Sequence, residues 1–229
     1  MHGPAFLGDE IEFPPAEDTT ADGLLAVGGD LQPERLLLAY RRGIFPWPWD
    51  ADAEMLWWCP DPRFVLYPHE LRVSKSLEQR MGSERFEVRF DTAFEDVIRG
   101  CATAARPDDP GTWITDELAE AYVKLHAMGF AHCAESWRDG ELVGGLYGVA
   151  LGAAFFGESM FHTEPDASKV AFATLVRALG RANCGFVDCQ LPTGHLARLG
   201  ARPIRRRQFL HELDELLVRD MAPLPWKSS

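Results

Sequence analysis

The spacing of apolar residues changes along the chain, and each change marks an element. Up to Asp22 prolines and acids dominate, which predicts an extended segment laid over a surface. Gly23 to Leu31 is a short apolar element closed by the Gly28-Gly29 turn. Pro33 suits a first helical turn, where its missing N–H is not needed, and Gly43 suits the stop. Leu36, Leu37, Ala39 and Tyr40 between them supply one apolar face. Phe64 to Tyr67 reads as a strand, Ser74 to Met81 as a helix and Phe86 to Phe90 as an alternating strand. Thr92-x-x-Glu95 has the spacing of a capping box and predicts a helix through Cys101. After Gly111-Thr112-Trp113-Ile114-Thr115, residues Leu118, Ala121, Tyr122 and Leu125 share a helical face that stops at Gly129.

The second half changes texture. Ala131 to Trp137, Glu141 to Ala150 and Ala153 to Met160 read as an antiparallel meander, with Asp139-Gly140 a strong hairpin signal. A helix is predicted from Ser168 to Ala182, then a strand to Gln190, a short helix around His195 to Leu199, an Ala201 to Ile204 strand and a final helix carrying Phe209, Leu213, Leu216 and Leu217. Strands followed by strand–helix alternation predict an α+β or a mixed α/β fold. The order resembles the acyltransferase superfamily typified by the histone-type N-acetyltransferases, which implies a mixed, mostly antiparallel sheet. We place a boundary near Asp61, giving a small N-terminal domain (1–62) and a larger acyltransferase-like domain (63–229).

Charge narrows the partners. With 23 basic and 35 acidic residues the net charge is -12, which argues against a general polyanion binder. The distribution is uneven: residues 1–34 hold eight acids and no Lys or Arg, whereas Arg198, Arg202, Arg205, Arg206 and Arg207 crowd a segment free of acids and leave a local phosphate site open. Five cysteines at irregular spacings read as free thiols in a reducing compartment. No secretory signal is visible at Met1-His2-Gly3-Pro4, and the uncharged stretch from Leu142 to Gly157 is shorter than the roughly 20 residues of a membrane span, so a cytoplasmic protein is expected.

Two apolar runs end in polar groups. Gly185-Phe186-Val187-Asp188-Cys189-Gln190 carries an acid and an amide, and Phe155 to Phe161 carries Glu158; a buried carboxylate needs a partner. Strand alternation puts Asp188 and Gln190 side by side with Cys189 behind them. It puts Phe156, Glu158 and Met160 on one face, opposite Phe155, Gly157 and Ser159. Two readings are open: these groups line one cleft, or Asp188 caps the following helix and Glu158 sits at a solvated strand end. Four of the seven tryptophans lie between Trp47 and Trp58 on a proline-stiffened frame, which suits either stacking a flat ligand or stapling two domains.

Other chemistries find less support. Cys189 and His195 are near in sequence, but alternation turns the thiol away from the Asp188 face. His126, His132 and Cys133 lack metal-ligand spacing, so no metal is expected. A coenzyme A dependent N-acetyltransferase is the alternative enzyme. Yet the segment Phe161 to Lys169, where a glycine-rich pyrophosphate turn belongs, has no glycine and brings in Glu164 and Asp166. Chemistry without metal or coenzyme needs an already activated substrate.

Eight blocks carry a fuller resemblance: Gly28-Gly29-Asp30-Leu31, Arg42 to Trp47, Trp57 to Arg63, Gly111 to Ile114, Leu142 to Gly148, Gly157 to Phe161, Ala167-Ser168-Lys169 and Asp188-Cys189-Gln190. In that order they resemble the bacterial leucyl/phenylalanyl-tRNA-protein transferase family, over about Phe13 to Leu217. The resemblance implies transfer of leucine or phenylalanine from aminoacyl-tRNA to the N-terminal arginine or lysine of acceptor proteins, in the N-degron route, by a monomer without cofactor. It implies that Trp47 and Trp113 sandwich the terminal adenine and that Phe155, Met160, Phe172, Leu175 and Val187 surround the Leu or Phe side chain. Glu158 would hold the aminoacyl-adenosine end or the incoming cationic N-terminus. For the proton two roles stand open: Gln190 accepts it from the attacking amine while Asp188 orients Gln190, or Asp188 is itself the base. Leu146, Phe156 and Pro48-Trp49-Asp50 depart from the usual pattern, so the Leu to Phe preference does not carry over. The Arg198 to Arg207 cluster is either a grip on the acceptor stem or a solvated charge run.

Overall fold

The computed structural model describes residues 3–49, 53–104, 113–221 and Trp226. Asp50, Gly111 and Thr112, which belong to motifs noted above, lie outside the described residues. The first sheet has the order β1-β2-β4-β3, from β1 (Ala5–Leu7), β2 (Leu24–Gly28), β3 (Phe45–Pro46) and β4 (Leu56–Trp58), with α1 (Pro33–Arg41) between β2 and β3. Only β1 and β2 pair in parallel. The proline- and acid-rich start therefore does more than lie on a surface: it supplies an edge strand. Arg35, fully buried on α1, holds it there. Its guanidinium donates to the carbonyls of Gly8 (2.8 Å) and Glu10 (3.0 Å) and to the Asp30 carboxylate (3.2 Å), which satisfies a charge that would otherwise be costly to bury.

The second sheet runs β11-β5-β10-β9-β8-β7-β6, from β5 (Arg63–Leu66), β6 (Glu87–Phe90), β7 (Ala131–Arg138), β8 (Glu141–Leu151), β9 (Ala154–His162), β10 (Phe186–Gln190) and β11 (Arg202–Ile204). Every neighbouring pair is antiparallel except β9 with β10, so the mixed, mostly antiparallel sheet and the α+β class expected from the pattern are found. Helices α2 (Lys75–Met81) and α5 (Ala167–Arg181) cover one face. There Val170, Phe172, Leu175, Val176 and Leu179 are buried, each contributing about 1.5–3 kcal/mol where it is a large aliphatic or aromatic side chain. Helices α3 (Phe94–Thr103), α4 (Asp116–Ala127) and α7 (Arg206–Leu217) cover the other, and that core continues without a break into the residues of the first sheet. The short α6 (Gly194–Arg198) follows β10.

Caps show which local signals decide. Ser74, Thr115 and Thr193 each accept the backbone N–H three residues on, at 3.2, 3.1 and 3.2 Å. Thr92 does not: the capping box is corrected, because the N-cap of α3 is Ala93, one residue later. The N–H groups of Thr92 (2.7 Å) and Ala93 (2.9 Å) and the Thr92 hydroxyl all donate to Glu135 of β7. A fully buried carboxylate on a neighbouring strand, favoured by the positive end of the helix, outcompetes the local box. Burial raises the Glu135 pKa and these donors outweigh it, leaving it lowered.

Two bulges set the site. In β9, Tyr147 faces Ser159 but Gly148 faces Gly157, so Glu158 is an extra residue. The expected alternation is thereby corrected. Glu158 stays on the face of Phe156, but Met160 moves to the face of Phe155, opposite Leu146, and Phe161 joins Phe156. Gly148 permits the pinch, since a Cβ there would lie 2.2 Å from the Phe156 carbonyl oxygen. In β10, Cys189 is the extra residue between Asp188 and Gln190, and Gln190 takes a left-handed φ of 60°. The two are thus not a regular pair of strand neighbours.

Candidate functional site

β9 and β10 pair only as far as Phe156 and Asp188 and then part. A cavity of about 570 Å³ opens in the gap, walled by β3 and Trp47 from the first sheet, by β8, β9 and β10 from the second, and by Phe172 of α5, Trp113 and the 193–196 turn. Parting strands leave main-chain groups and bulged side chains pointing into one space, which is where a fold of this kind can hold a ligand.

Asp188 is fully buried, and so is its partner Arg63 at the start of β5. The pair is bidentate, Nε to Oδ1 at 2.8 Å and Nη2 to Oδ2 at 2.6 Å. The guanidinium lies over the Phe45 ring (4.7 Å) and the Phe209 ring (4.6 Å). Burial would lower the Arg63 pKa, but the Asp188 charge and hydrogen bonds prevail and it is raised. Asp188 is therefore neither a helix cap nor a free base. Its Oδ1 also accepts the backbone N–H of Gln190 at 2.9 Å, so the acid orients the amide residue through the main chain.

The Gln190 side chain reaches across the gap and donates from Nε2 to Glu158 Oε1 at 2.8 Å, which leaves its own Oε1 without a donor among the described residues. The second Glu158 oxygen accepts from the Tyr122 hydroxyl at 2.7 Å, and Tyr122 is hydrogen-bonded to Tyr40 of α1. Burial pushes the Glu158 carboxyl up to about 7, against these donors and with help from the Asp188 charge. Its solvated-end reading is set aside.

That elevation has a stability consequence. Between the ordinary carboxylate value near 4.5 and about 7, the folded chain binds a proton that the unfolded chain has lost, so Glu158 costs stability as pH rises through that window. Glu158→Gln is expected to raise the melting temperature relative to wild type near pH 8 and to leave the two alike near pH 4.5. Thermal denaturation followed by circular dichroism at the two pH values checks it.

Trp47 (36% exposed) and the half-buried Trp113 both border the cavity. Met160, Phe172 and Val187 line it, joined by Leu146. Phe155 and Leu175 do not reach its wall; both are fully buried one layer behind. Cys189 and His195 also border it, yet burial pushes the Cys189 thiol well up, and burial with nearby cations lowers His195, so neither a thiolate nor an imidazolium is favoured. The residues missed by pattern are Arg63, Tyr40 and Tyr122. Both tyrosines sit on the apolar faces of predicted helices, and a hydroxyl in the middle of a buried face was the signal that could have found them.

Elsewhere, Glu164 is held by Arg85 (3.1 Å) and Arg138 (2.8 Å), and Asp166 by Arg80 (2.8 Å) and Lys169 (2.7 Å), so paired acids stand ahead of α5 where a pyrophosphate would need free N–H groups. Asp91, His126 and His132 bring donor atoms within 4.8 Å of one another. The cluster is closed on itself: His132 lies between the Asp91 carboxylate and the Gly129 carbonyl, and His126 Nδ1 meets the Ala131 carbonyl. Arg202 is exposed but paired with Glu70, and Arg206 donates its guanidinium to Thr19 and the Cys59 carbonyl and its backbone N–H to Asp61; Arg198, Arg205 and Arg207 are exposed as well. No described helix is long and apolar enough to cross a membrane.

A family model described as leucyl/phenylalanyl-tRNA protein transferase matches residues 65–214, and one described as the N-terminal domain of that transferase matches residues 29–61. The leucyl/phenylalanyl-tRNA–protein transferase of Solidesulfovibrio magneticus is 57% identical over 208 residues, covering 91% of this chain and 84% of its own. That of an Anaeromyxobacter species is 56% identical over 220 residues, covering 96% and 93%. Among solved structures, a GCN5-related N-acetyltransferase-like protein from Streptococcus suis aligns over 71% of this chain and 60% of its own at 11% identity and a TM-score of 0.35, too slight a likeness to carry weight.

Proposed function

Because the chain belongs to the leucyl/phenylalanyl-tRNA protein transferase family, we propose that its cleft receives the 3′ end of leucyl- or phenylalanyl-tRNA and passes the aminoacyl group to the N-terminal arginine or lysine of a protein. The coenzyme A alternative is not favoured. The observation that supports the reading is that one cavity is bordered by Trp47 and Trp113 and also by Glu158 and Gln190. The indoles take the terminal adenine. Leu146, Met160, Phe172 and Val187 take the aminoacyl side chain, with Phe155 and Leu175 as backing that fixes the pocket's shape. Residues 1–62 then supply one wall and residues 63–229 the rest.

An aminoacyl ester is already activated, so the work is alignment and the handling of one proton. The acceptor's α-amine, with a pKa near 8, keeps a usable neutral fraction at pH 7. Its nitrogen attacks the ester carbonyl carbon, the bond to the terminal ribose oxygen breaks, and the proton leaving nitrogen ends on that oxygen. Gln190 Oε1 accepts a hydrogen from the attacking amine. Asp188, with both oxygens engaged by Arg63, is the anchor rather than the base, and Glu158 adds negative charge where the cationic N-terminus approaches. We read the chain as a cytoplasmic monomer of the N-degron route.

Incubation with radiolabelled phenylalanyl-tRNA and a peptide bearing N-terminal arginine is expected to yield acid-stable label on the peptide, and none on the same peptide with an acetylated N-terminus. No label on the free-amine peptide overturns the proposal. In the same assay Trp47→Ala or Trp113→Ala is expected to raise the donor KM by about 5- to 100-fold, the equivalent of about 1–3 kcal/mol of lost stacking, with a smaller effect on kcat.

A further inference from the structure

Glu158 is met from every side. Tyr122 on α4 donates to it at 2.7 Å, and Tyr40 on α1 is hydrogen-bonded to Tyr122. Gln190 on β10 donates to its other oxygen at 2.8 Å. The Tyr147 ring of β8 stands edge-on to Tyr122 at 5.2 Å, while the charges of Asp188 on β10 and Arg63 on β5 lie behind. Tyr40, Tyr122 and Tyr147 are fully buried. A phenol held in a core needs a partner for its hydroxyl, and here the two phenols of Tyr40 and Tyr122 form a short chain that ends on the Glu158 carboxylate at the cleft.

We infer that Tyr122, backed by Tyr40, is a positioning residue for the transfer: the two hydroxyls hold the Glu158 carboxylate against the Gln190 amide, and through it they aim the amide oxygen at the incoming nitrogen. The inference rests on the reading of the cleft given above and goes beyond it, because neither Tyr122 nor Tyr40 lines the cavity. Two effects follow from one hydrogen bond. Geometrically, an oxygen pinned by Tyr122 leaves the other fixed for Gln190 Nε2. Electrostatically, burial drives Glu158 toward its neutral form and the Tyr122 hydroxyl opposes that, so loss of the hydroxyl moves Glu158 further up and empties the ionised form at neutral pH. A neutral Glu158 can donate a proton, and the Gln190 amide is then free to turn over.

The test compares kcat/KM for transfer from phenylalanyl-tRNA to a peptide with N-terminal arginine between about pH 6 and about pH 9, in wild type, Tyr122→Phe, Tyr40→Phe and Glu158→Gln. The acceptor amine titrates in every case, so the ratio of variant to wild type cancels its contribution. For Tyr122→Phe the ratio is expected to fall to about one tenth at the acid end, the loss given by a shift of about one pH unit, and to climb toward one at the alkaline end. Tyr40→Phe is expected to follow the same course with a smaller dip, and it carries the test if Tyr122→Phe does not fold. A ratio that is flat across the range, at whatever level, marks both tyrosines as merely structural and overturns the inference. Glu158→Gln is expected to be slow throughout. Full activity in that variant overturns the reading of the cleft itself, whereas a slow Glu158→Gln beside a flat Tyr122→Phe ratio removes the tyrosine relay alone.

Discussion

Asp188→Asn is expected to cost about 3–5 kcal/mol of unfolding free energy and to abolish most transfer, the largest single effect in the molecule. The reason is asymmetric. Neutralising the acid leaves Arg63 charged, fully buried and flanked by two phenylalanine rings, with an amide in place of a counterion. It also weakens the acceptor that holds the Gln190 backbone, so the amide loses its aim. Urea denaturation reads the first effect and single-turnover transfer from phenylalanyl-tRNA the second. The double variant Arg63→Met with Asp188→Leu separates them: it is expected to regain most of the stability, because no charge is left stranded, and to remain inactive. A stable and fully active Asp188→Asn would falsify the anchor.

Gln190→Ala should do the opposite: stability within about 1 kcal/mol of wild type and a transfer rate lower by roughly a hundredfold. Gln190 is half-buried, its left-handed φ is retained at no greater strain by alanine, and its side chain holds nothing together but Glu158. Gln190→Glu is the sharper version. It would set two carboxyls at hydrogen-bond distance, which cannot both ionise, so they would share a proton at neutral pH and the rate would fall with a changed pH profile. Rapid-quench measurement of the chemical step on saturating donor decides. A rate for Gln190→Ala close to wild type would leave the proton with another group.

Much of this site was visible in the chain before folding. The acid, the amide and Glu158 stand out because polar groups interrupt runs otherwise suited to a buried strand, and the need of Asp188 for a partner follows from that alone. Its partner does not. Arg63 lies 125 residues away, at the start of β5 just after a proline-rich turn whose local pattern says nothing about what will cover it. Alternation failed at two residues, Glu158 and Cys189, and for one reason: a bulge adds a residue without changing composition, so the face of everything beyond it inverts. Gly148, opposite the first bulge, was the one hint, since glycine in a strand marks close approach. Thr92 was misread because its competitor Glu135 comes from a different element. Ser74 and Thr115, with no such rival, cap the helices they precede.

The first sheet brings more to the cleft than a scaffold. Trp47, Phe45 above Arg63, and the Tyr40 hydroxyl all come from the first 62 residues, while β8, β9 and β10, which wall the cleft beside them, belong to the remainder. A fragment starting at Arg63 would keep its acid and amide but lose an indole wall and a ring over its buried cation, and it would bare the apolar face on which α1 rests. Severed halves of such a molecule would have to find each other and re-dock before any turnover, so the polypeptide is one indivisible tool despite its two sheets.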